Sequence, residues 1–256
     1  MLRFMGGIML PVAAGSSSGR FGIMPLMQFG LPSARLASVL VALTLAACGS
    51  APSNGSSSAS SPSVSASAQP QATTLPAVPA PVAVSVDSAA TAVLVMDLLL
   101  PRCTPTGRAA CPPTIPAVNA LIKKAHDART LVVYTRVNNG TFVSDLLTPQ
   151  ASDITLDTLG PDKFIGTNLA DQLKQKKIST LVASGTASNG AVLTTGAEAA
   201  FQGYTVVVPE DTISGDTPFN TFLTEYQLLQ FPANPDNKPL ADKAVTLSRS
   251  DLISFK

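Results

Sequence analysis

The chain passes from an apolar strand into a helix of small residues at Gly185-Thr-Ala-Ser-Asn-Gly-Ala-Val-Leu-Thr-Thr195. The preceding strand covers residues 178–184, and the helix is expected to end near Gly203. The first N–H groups of a helix have no partner within it and favour negative charge. We therefore expect a binding or catalytic site at this turn, with Ser188 or Asn189 as the N-cap of the helix. If a helix begins at Asn189, Gly190 and Ala191 are expected to present free N–H donors.

Short apolar strands alternate with helices on both sides of this turn. Apolar runs without alternation are typical of strands covered on both faces, and intervening helices imply right-handed crossovers between parallel strands. The sequence therefore predicts an α/β domain of three layers (α/β/α) with a parallel, Rossmann-like central sheet. Further helices are expected to begin at Pro116 and near Thr221. The predicted strands are Ala92 to Met96, Thr130 to Thr135, Ser179 to Ala183, Tyr204 to Val208 and Ala244 to Leu247.

Asp97 directly follows the first of these strands. In open parallel sheets, ligands bind beyond the carboxyl ends of the strands, where both Asp97 and the turn at Gly185 are expected to lie. Partial loss of water around such a carboxylate makes it a better proton acceptor near neutral pH. Asp97 could instead cap the following segment or pair with a cation.

The Gly185 turn resembles the nucleophile turn of the isochorismatase-like hydrolases, also called cysteine hydrolases. The segment Thr91-Ala-Val-Leu-Val-Met-Asp97 resembles the family's first strand, which ends in the general base. The segment that follows the family's catalytic lysine is similar to Asp162-Lys-Phe-Ile-Gly-Thr-Asn-Leu169. The family's strand that closes the pattern is similar to Gly203-Tyr-Thr-Val-Val-Val-Pro-Glu-Asp211. The similarity covers residues 91–255 in the expected order, which implies the isochorismatase-like hydrolase fold.

The resemblance also implies which residues form the site. It makes Asp97 and Lys163 candidate catalytic residues, and it places Ala191 where the family carries its cysteine, so that only a backbone N–H remains there. A non-proline cis peptide bond is expected near Thr186 and Ala187. The predicted substrate contacts are Thr186, Ala187, Ser188, Asn189, Gly190 and Phe164.

The lysine departs from the family pattern. The resemblance places the family's lysine at Thr158, whereas this chain carries Lys163 beside Phe164. A lysine stem is flexible, so Lys163 could reach the pocket by a different route. It could equally be a surface lysine in a Pro-Asp-Lys turn.

The missing thiol leaves the reaction open. Amide hydrolysis in this family proceeds through a thioester, so Ala191 removes the nucleophile. One interpretation is a hydrolase that acts on a small molecule by aspartate-based acid/base chemistry, as in members that cleave the vinyl ether of isochorismate, or by a reaction new to the family. The other is an inactive member that serves as a small-molecule-binding or adaptor protein. No cofactor is expected, and His126 is expected to be a solvated or capping residue.

The first 47 residues are predicted to be a signal peptide. An apolar run at residues 36–46 follows Arg35 and is too short to span a bilayer. It ends in Leu45-Ala-Ala-Cys48, which resembles the bacterial lipoprotein signal, so Cys48 is predicted to carry lipid. Translation could begin at Met24 or Met27. These features predict a protein of the cell envelope, held by lipid outside the cytoplasmic membrane.

Residues 48–88 are rich in Ser, Ala and Pro and carry no charge before Asp87. Such a composition predicts a flexible tether, or alternatively a glycosylated stalk, followed by the domain at residues 89–256. Cys103 and Cys111 lie in a Pro- and Thr-rich loop, and in an exported protein they are expected to form a disulfide; the alternative is free thiols.

Charge and composition limit the partners. The net charge is +1 and no basic patch is interleaved with aromatic residues, so nucleic-acid binding is not expected. A metal site is not expected because His126 is the single histidine. The family resemblance adds the expectation of a homo-oligomer.

Overall fold

A computed structural model of the protein describes residues 74–256. The predicted signal peptide, the lipidation site Cys48 and most of the predicted tether lie outside these residues. No helix within residues 74–256 is both long enough and apolar enough to cross a membrane.

The domain is built on a seven-stranded parallel sheet with the strand order β4-β3-β2-β5-β6-β8, in which the short β7 extends the sheet beside the end of β5. A small second sheet pairs β1 with β9, also in parallel. The strands are β1 (Val84–Val86), β2 (Thr91–Met96), β3 (Leu131–Val137), β4 (Ile154–Thr158), β5 (Thr180–Thr186), β6 (Thr205–Pro209), β7 (Ile213–Ser214), β8 (Val245–Ser248) and β9 (Ile253–Phe255). The helices are α1 (Ile115–Asp127), α2 (Leu169–Gln175), α3 (Leu193–Phe201) and α4 (Pro218–Leu228).

Strand β2 shows why the domain has three layers. Its alternate side chains enter two separate cores, with Leu94 and Met96 on one face of the sheet and Val93 and Val95 on the other. Helix α1 covers the Val93 face, whereas α2, α3 and α4 contribute buried residues to the Leu94 face. The predicted α/β/α fold with a parallel sheet is therefore confirmed.

The sequence did not predict four short strands: β1, β4, β7 and β9. Strand β4 lies at the edge of the large sheet, so only one of its faces packs inward and its sequence, Ile-Thr-Leu-Asp-Thr, lacks the apolar run of a central strand. Strand β7 has only two residues, and β1 and β9 have three each, too few to show a pattern.

The predicted tether ends earlier than residue 88. Val84 and Val86 are buried in β1, and the Val82 N–H donates to the Leu247 carbonyl oxygen at 3.1 Å. The Asn237 side chain also donates to the Ala80 carbonyl oxygen at 2.8 Å. The domain boundary at residue 89 is therefore corrected, because the valines of this segment supply the apolar surface that the Ser-rich part before it lacks.

Candidate functional site

The site forms where β2 and β5 end side by side. Met96 of β2 is in register with Gly185 of β5, so Asp97 and Thr186 leave neighbouring strands at the same edge of the sheet. Gly185 has a φ of 124°, and a Cβ there would overlap the backbone of Met96. Glycine at this position therefore allows the strand end to approach the strand that carries Asp97.

Asp97 is held by two side chains. The Thr135 hydroxyl donates to its Oδ1 at 2.7 Å, and the Lys163 ammonium donates to its Oδ2 at 2.6 Å. The Asp97 side chain is 11% exposed, and that of Lys163 is fully buried. A charge-assisted hydrogen bond of this kind fixes the orientation of the carboxylate.

Lys163 therefore reaches the site, and the surface-lysine interpretation is wrong. Its ammonium also donates to Thr158 Oγ1 at 3.2 Å and to the Gly160 carbonyl oxygen at 3.0 Å. Thr158 is the position to which the resemblance assigned the family's lysine. The charged end of the side chain thus lies beside that position although its backbone is five residues further along the chain.

The backbone of Lys163 is anchored on both sides. Its N–H donates to Thr195 Oγ1 at 3.1 Å, and its carbonyl oxygen accepts from Thr167 Oγ1 at 2.6 Å. Removing a lysine ammonium from water is costly unless its donors and its charge are matched. Here three acceptors, one of them the Asp97 carboxylate, match the three N–H groups.

The turn after β5 has the predicted cis peptide bond, between Thr186 and Ala187. The helix starts differently from the prediction, however. Ser188–Val192 form one π-helical turn, and α3 begins only at Leu193. The Gly190 N–H donates to the Ala187 carbonyl oxygen at 3.1 Å, so this N–H is already paired and the expectation of a free donor at Gly190 is wrong.

A cleft of about 340 Å³ opens over Asp97 and this turn. Five of the predicted site residues line it: Asp97, Thr186, Ala187, Gly190 and Ala191. Lys163 lies behind Asp97, outside the lining. The rest of the wall is mainly apolar, and it consists of Leu99, Leu100, Arg102, Arg108, Val137, Gly140, Leu159, Gly160 and Pro161.

Three predicted substrate contacts lie outside the lining of the cleft. Phe164 packs on the core beside Tyr204, with ring centroids 6.1 Å apart. Ser188 is buried against Gly215, where an added Cβ would lie 2.7 Å from its hydroxyl oxygen, and Asn189 points into solvent as an exposed residue. Their assignment as substrate contacts is therefore corrected, since Phe164 packs on the core and the π-turn directs Ser188 and Asn189 away from the cleft.

Sequence reasoning missed the two arginines of the cleft. Arg108 belongs to the loop that the disulfide between Cys103 and Cys111 closes, and Arg102 directly precedes this loop. The disulfide was predicted and is present. Arg108 donates to both carboxylate oxygens of Asp216, at 2.9 and 3.2 Å, which lowers the pKa of that carboxyl group. Only the position of this loop after the Asp97 strand could have suggested these residues.

A larger concavity of about 550 Å³ lies at the opposite ends of the strands. It contains His126, which lies in the last turn of α1, as the capping alternative predicted. The histidine is paired with Asp153 at 3.0 Å and is only 13% exposed, so the solvated alternative is wrong. None of the Asp97 cluster lines this concavity, and the chemistry therefore favours the smaller cleft. Within residues 74–256, no three His, Cys, Asp or Glu side chains lie together as a metal site needs.

The sequence profile of the Isochorismatase domain matches residues 91–223, which include the Asp97 strand, Lys163 and the turn at Ala191. The chain belongs to the isochorismatase family. The solved structures agree with this at the level of the fold. A search of curated proteins finds no match.

Three solved structures of the family illustrate the likeness. An isochorismatase family protein from Desulfovibrio vulgaris subsp. vulgaris str. Hildenborough has 18% identity and a TM-score of 0.56, over 63% of this chain and 95% of that chain. A cysteine hydrolase from Pseudomonas syringae pv. phaseolicola 1448A has 18% identity and a TM-score of 0.55, over 70% and 95%. The N-carbamoylsarcosine amidase from Thermoplasma acidophilum has 21% identity and a TM-score of 0.53, over 63% and 96%.

Proposed function

We propose that this protein is an exported, membrane-anchored hydrolase of the isochorismatase family that acts on a small molecule by cysteine-independent, aspartate-based chemistry. One observation carries the proposal: an open cleft joins the Asp97 carboxylate, held by the buried Lys163, to the turn that contains Ala191. A protein that had kept only the fold could fill this cleft with apolar side chains. Here Leu98 and Phe164 pack into the core and leave the cleft open.

Asp97 supplies the base in this mechanism. Each carboxylate oxygen accepts one hydrogen bond from the protein, which leaves lone pairs that can accept a proton from water. Because alanine replaces cysteine at position 191, water takes the place of the thiol as nucleophile. Its oxygen bonds to the electrophilic carbon as Asp97 takes its proton. The bond between that carbon and the leaving group then breaks, and Asp97 returns the proton to the leaving group.

Lys163 keeps the carboxylate oriented in the resting state. Its ammonium also supplies positive charge next to the reacting groups, in a site where burial strengthens electrostatic interactions. A fully buried lysine is costly to desolvate, and its placement against a carboxylate that lines an open cleft supports a catalytic role.

The alternative function is binding without catalysis. The specific observation in its favour is Ala191, which lines the cleft and carries no nucleophile. The same cleft would then hold a small molecule for an adaptor lipoprotein. This alternative and the hydrolase differ in turnover and not in the location of the site.

The two functions are separated by a panel of amides, esters and vinyl ethers offered to the purified protein. The hydrolase predicts turnover of at least one compound, and a decrease of about 10²- to 10⁴-fold in Asp97→Asn, an isosteric change that removes the base. Lys123→Met replaces an exposed lysine outside the cleft and is the matched control for Lys163→Met. Absence of turnover across the panel would favour the binding protein.

The proposed location rests on the front of the chain. The apolar run behind Arg35 and the Leu-Ala-Ala-Cys sequence ending at Cys48 support export and lipid attachment. Several acyl chains on one residue would provide durable anchoring.

A further inference from the structure

We propose that Arg108 forms an anion-binding subsite in the cleft, and that the ligand is a small carboxylate with an apolar body. The inference rests on the proposed function in one respect only: it names the substrate class of the same cleft. Arg108 is 9% exposed and lines the cleft within reach of the turn at Thr186.

The guanidinium of Arg108 is fixed before any ligand arrives. It donates to Asp216 through Nε and Nη2, and through Nη1 to Thr186 Oγ1 at 3.0 Å. The loop behind it is also rigid, because the disulfide closes it and the Arg108 N–H donates to the Arg102 carbonyl oxygen at 2.6 Å. A fixed guanidinium loses little conformational entropy on binding, which raises its affinity for a planar carboxylate.

Arg108 also keeps donors for a ligand. A guanidinium has five N–H groups, and Asp216 and Thr186 use three of them. Within residues 74–256, the second N–H groups of Nη1 and Nη2 have no acceptor. Two such donors in one plane match the two oxygens of a carboxylate.

The charge balance of the cleft favours an anion. Lys163 compensates the charge of Asp97, and Asp216 compensates the charge of Arg108. Arg102 lies on the same wall, so three cations face two carboxylates. The Asp216 side chain is 62% exposed, so water screens its charge, whereas the Arg108 side chain is only 10% exposed. The unscreened charge near the cleft is therefore positive.

The apolar part of the wall defines the apolar body of the ligand. Leu100 and Leu159 line the cleft and are 47% and 85% exposed. Large apolar side chains left exposed around a polar centre are typical of a ligand site. A carboxylate bound at Arg108 would extend its apolar part along these leucines.

The test measures binding of two probes to the full chain by isothermal titration calorimetry. One probe is 3-phenylpropionate, and the other is 3-phenylpropan-1-ol, its neutral counterpart. The acid is expected to bind about 10- to 100-fold more tightly, from charge-assisted hydrogen bonds to Arg108. Arg108→Gln is expected to abolish this preference, and Arg249→Gln, at an arginine outside the cleft, to preserve it.

A second variant avoids dependence on the folding of Arg108→Gln, in which a buried side chain is lost. Asp216→Asn removes the competing negative charge but keeps an amide oxygen that can still accept from Arg108 and hold the guanidinium. It is therefore expected to bind the acid more tightly than the wild type does. Equal binding of acid and alcohol, no saturable binding of the acid, a preference that survives Arg108→Gln, or weaker binding by Asp216→Asn each overturns the inference.

The outcome is independent of turnover, because neither probe contains a bond that a hydrolase cleaves. A protein that prefers the acid through Arg108 but hydrolyses nothing would retain this subsite and lose the proposed hydrolase function. A protein that hydrolyses neutral compounds and does not bind the acid would have the proposed hydrolase function and lack this subsite.

Discussion

Replacing Lys163 by methionine tests whether Asp97 and Lys163 act as one unit. The substitution keeps an unbranched apolar stem one atom shorter than that of lysine and removes the ammonium, so Asp97 Oδ2, Thr158 Oγ1 and the Gly160 carbonyl oxygen each lose a donor. The Asp97 carboxylate, 11% exposed, would then carry its charge without a counter-ion. Breaking a buried ion pair from one side costs about 3–5 kcal/mol of the free energy of unfolding.

The assay is a double-mutant cycle in urea with Lys163→Met, Asp97→Asn and both together. Asp97→Asn alone leaves an ammonium buried without its carboxylate, whereas the double variant leaves no charge at the site. The double variant is therefore expected to lose less than the sum of the two single losses, by about 2–3 kcal/mol.

Lys123→Met is the matched control for this cycle. Lys123 pairs with Asp127 at 2.7 Å, nearly the distance of the buried pair, but its side chain is 70% exposed. Its substitution is expected to change the free energy of unfolding by less than about 1 kcal/mol. The reasoning is refuted if Lys163→Met costs no more than this control, or if the two single losses simply add.

Three further predictions concern parts of the molecule outside this pair. Burial, with the charge of Glu210 adding to it, raises the pKa of Glu225 from 4.5 to about 7. Its stabilising contribution is therefore complete below pH 4.5 and lost as the pH rises through 7. The free energy of unfolding of Glu225→Gln in urea should equal that of the wild type at pH 4 and exceed it at pH 8.5 by about 1–2 kcal/mol, after allowance for solvent screening. An equal difference at both pH values contradicts this. Replacing Cys103 and Cys111 by serine should lower the free energy of unfolding by about 2–3 kcal/mol for so short a loop, and labelling of both by iodoacetamide without reductant would show that the bond is absent. Cys48→Ser should move the protein from the membrane fraction to the soluble fraction, and an unchanged distribution would argue against lipid anchoring.

The sequence predicted the elements whose residues interact close to one another along the chain. The central strands are continuous apolar runs, and the turn at Gly185 and the carboxylate of Asp97 have local patterns that belong to strand ends. The disulfide followed from the short spacing of its cysteines. These features were therefore predictable without knowledge of the tertiary structure.

The missed features depend on contacts between distant segments. Arg108 meets Asp216 across 108 positions, and no local pattern marks this pair. Lys163 was predicted as a candidate, but it meets Asp97 across 66 positions, so the sequence alone left the surface-lysine alternative open. Strand β1 pairs with β9 from the opposite end of the domain. Its own segment is rich in Ala and Pro and contains no pattern that predicts this pairing. The direction of Ser188 was fixed by the π-turn, which small residues do not distinguish from an ordinary helix start.

The most direct test of the central claim is kcat/KM for the best compound of the panel, measured before and after iodoacetamide treatment and again in Asp97→Asn. The account predicts turnover that survives alkylation of thiols and falls by about 10²- to 10⁴-fold without the aspartate. Turnover that disappears on alkylation, or that persists in Asp97→Asn, would contradict hydrolysis by water that Asp97 activates without a thiol.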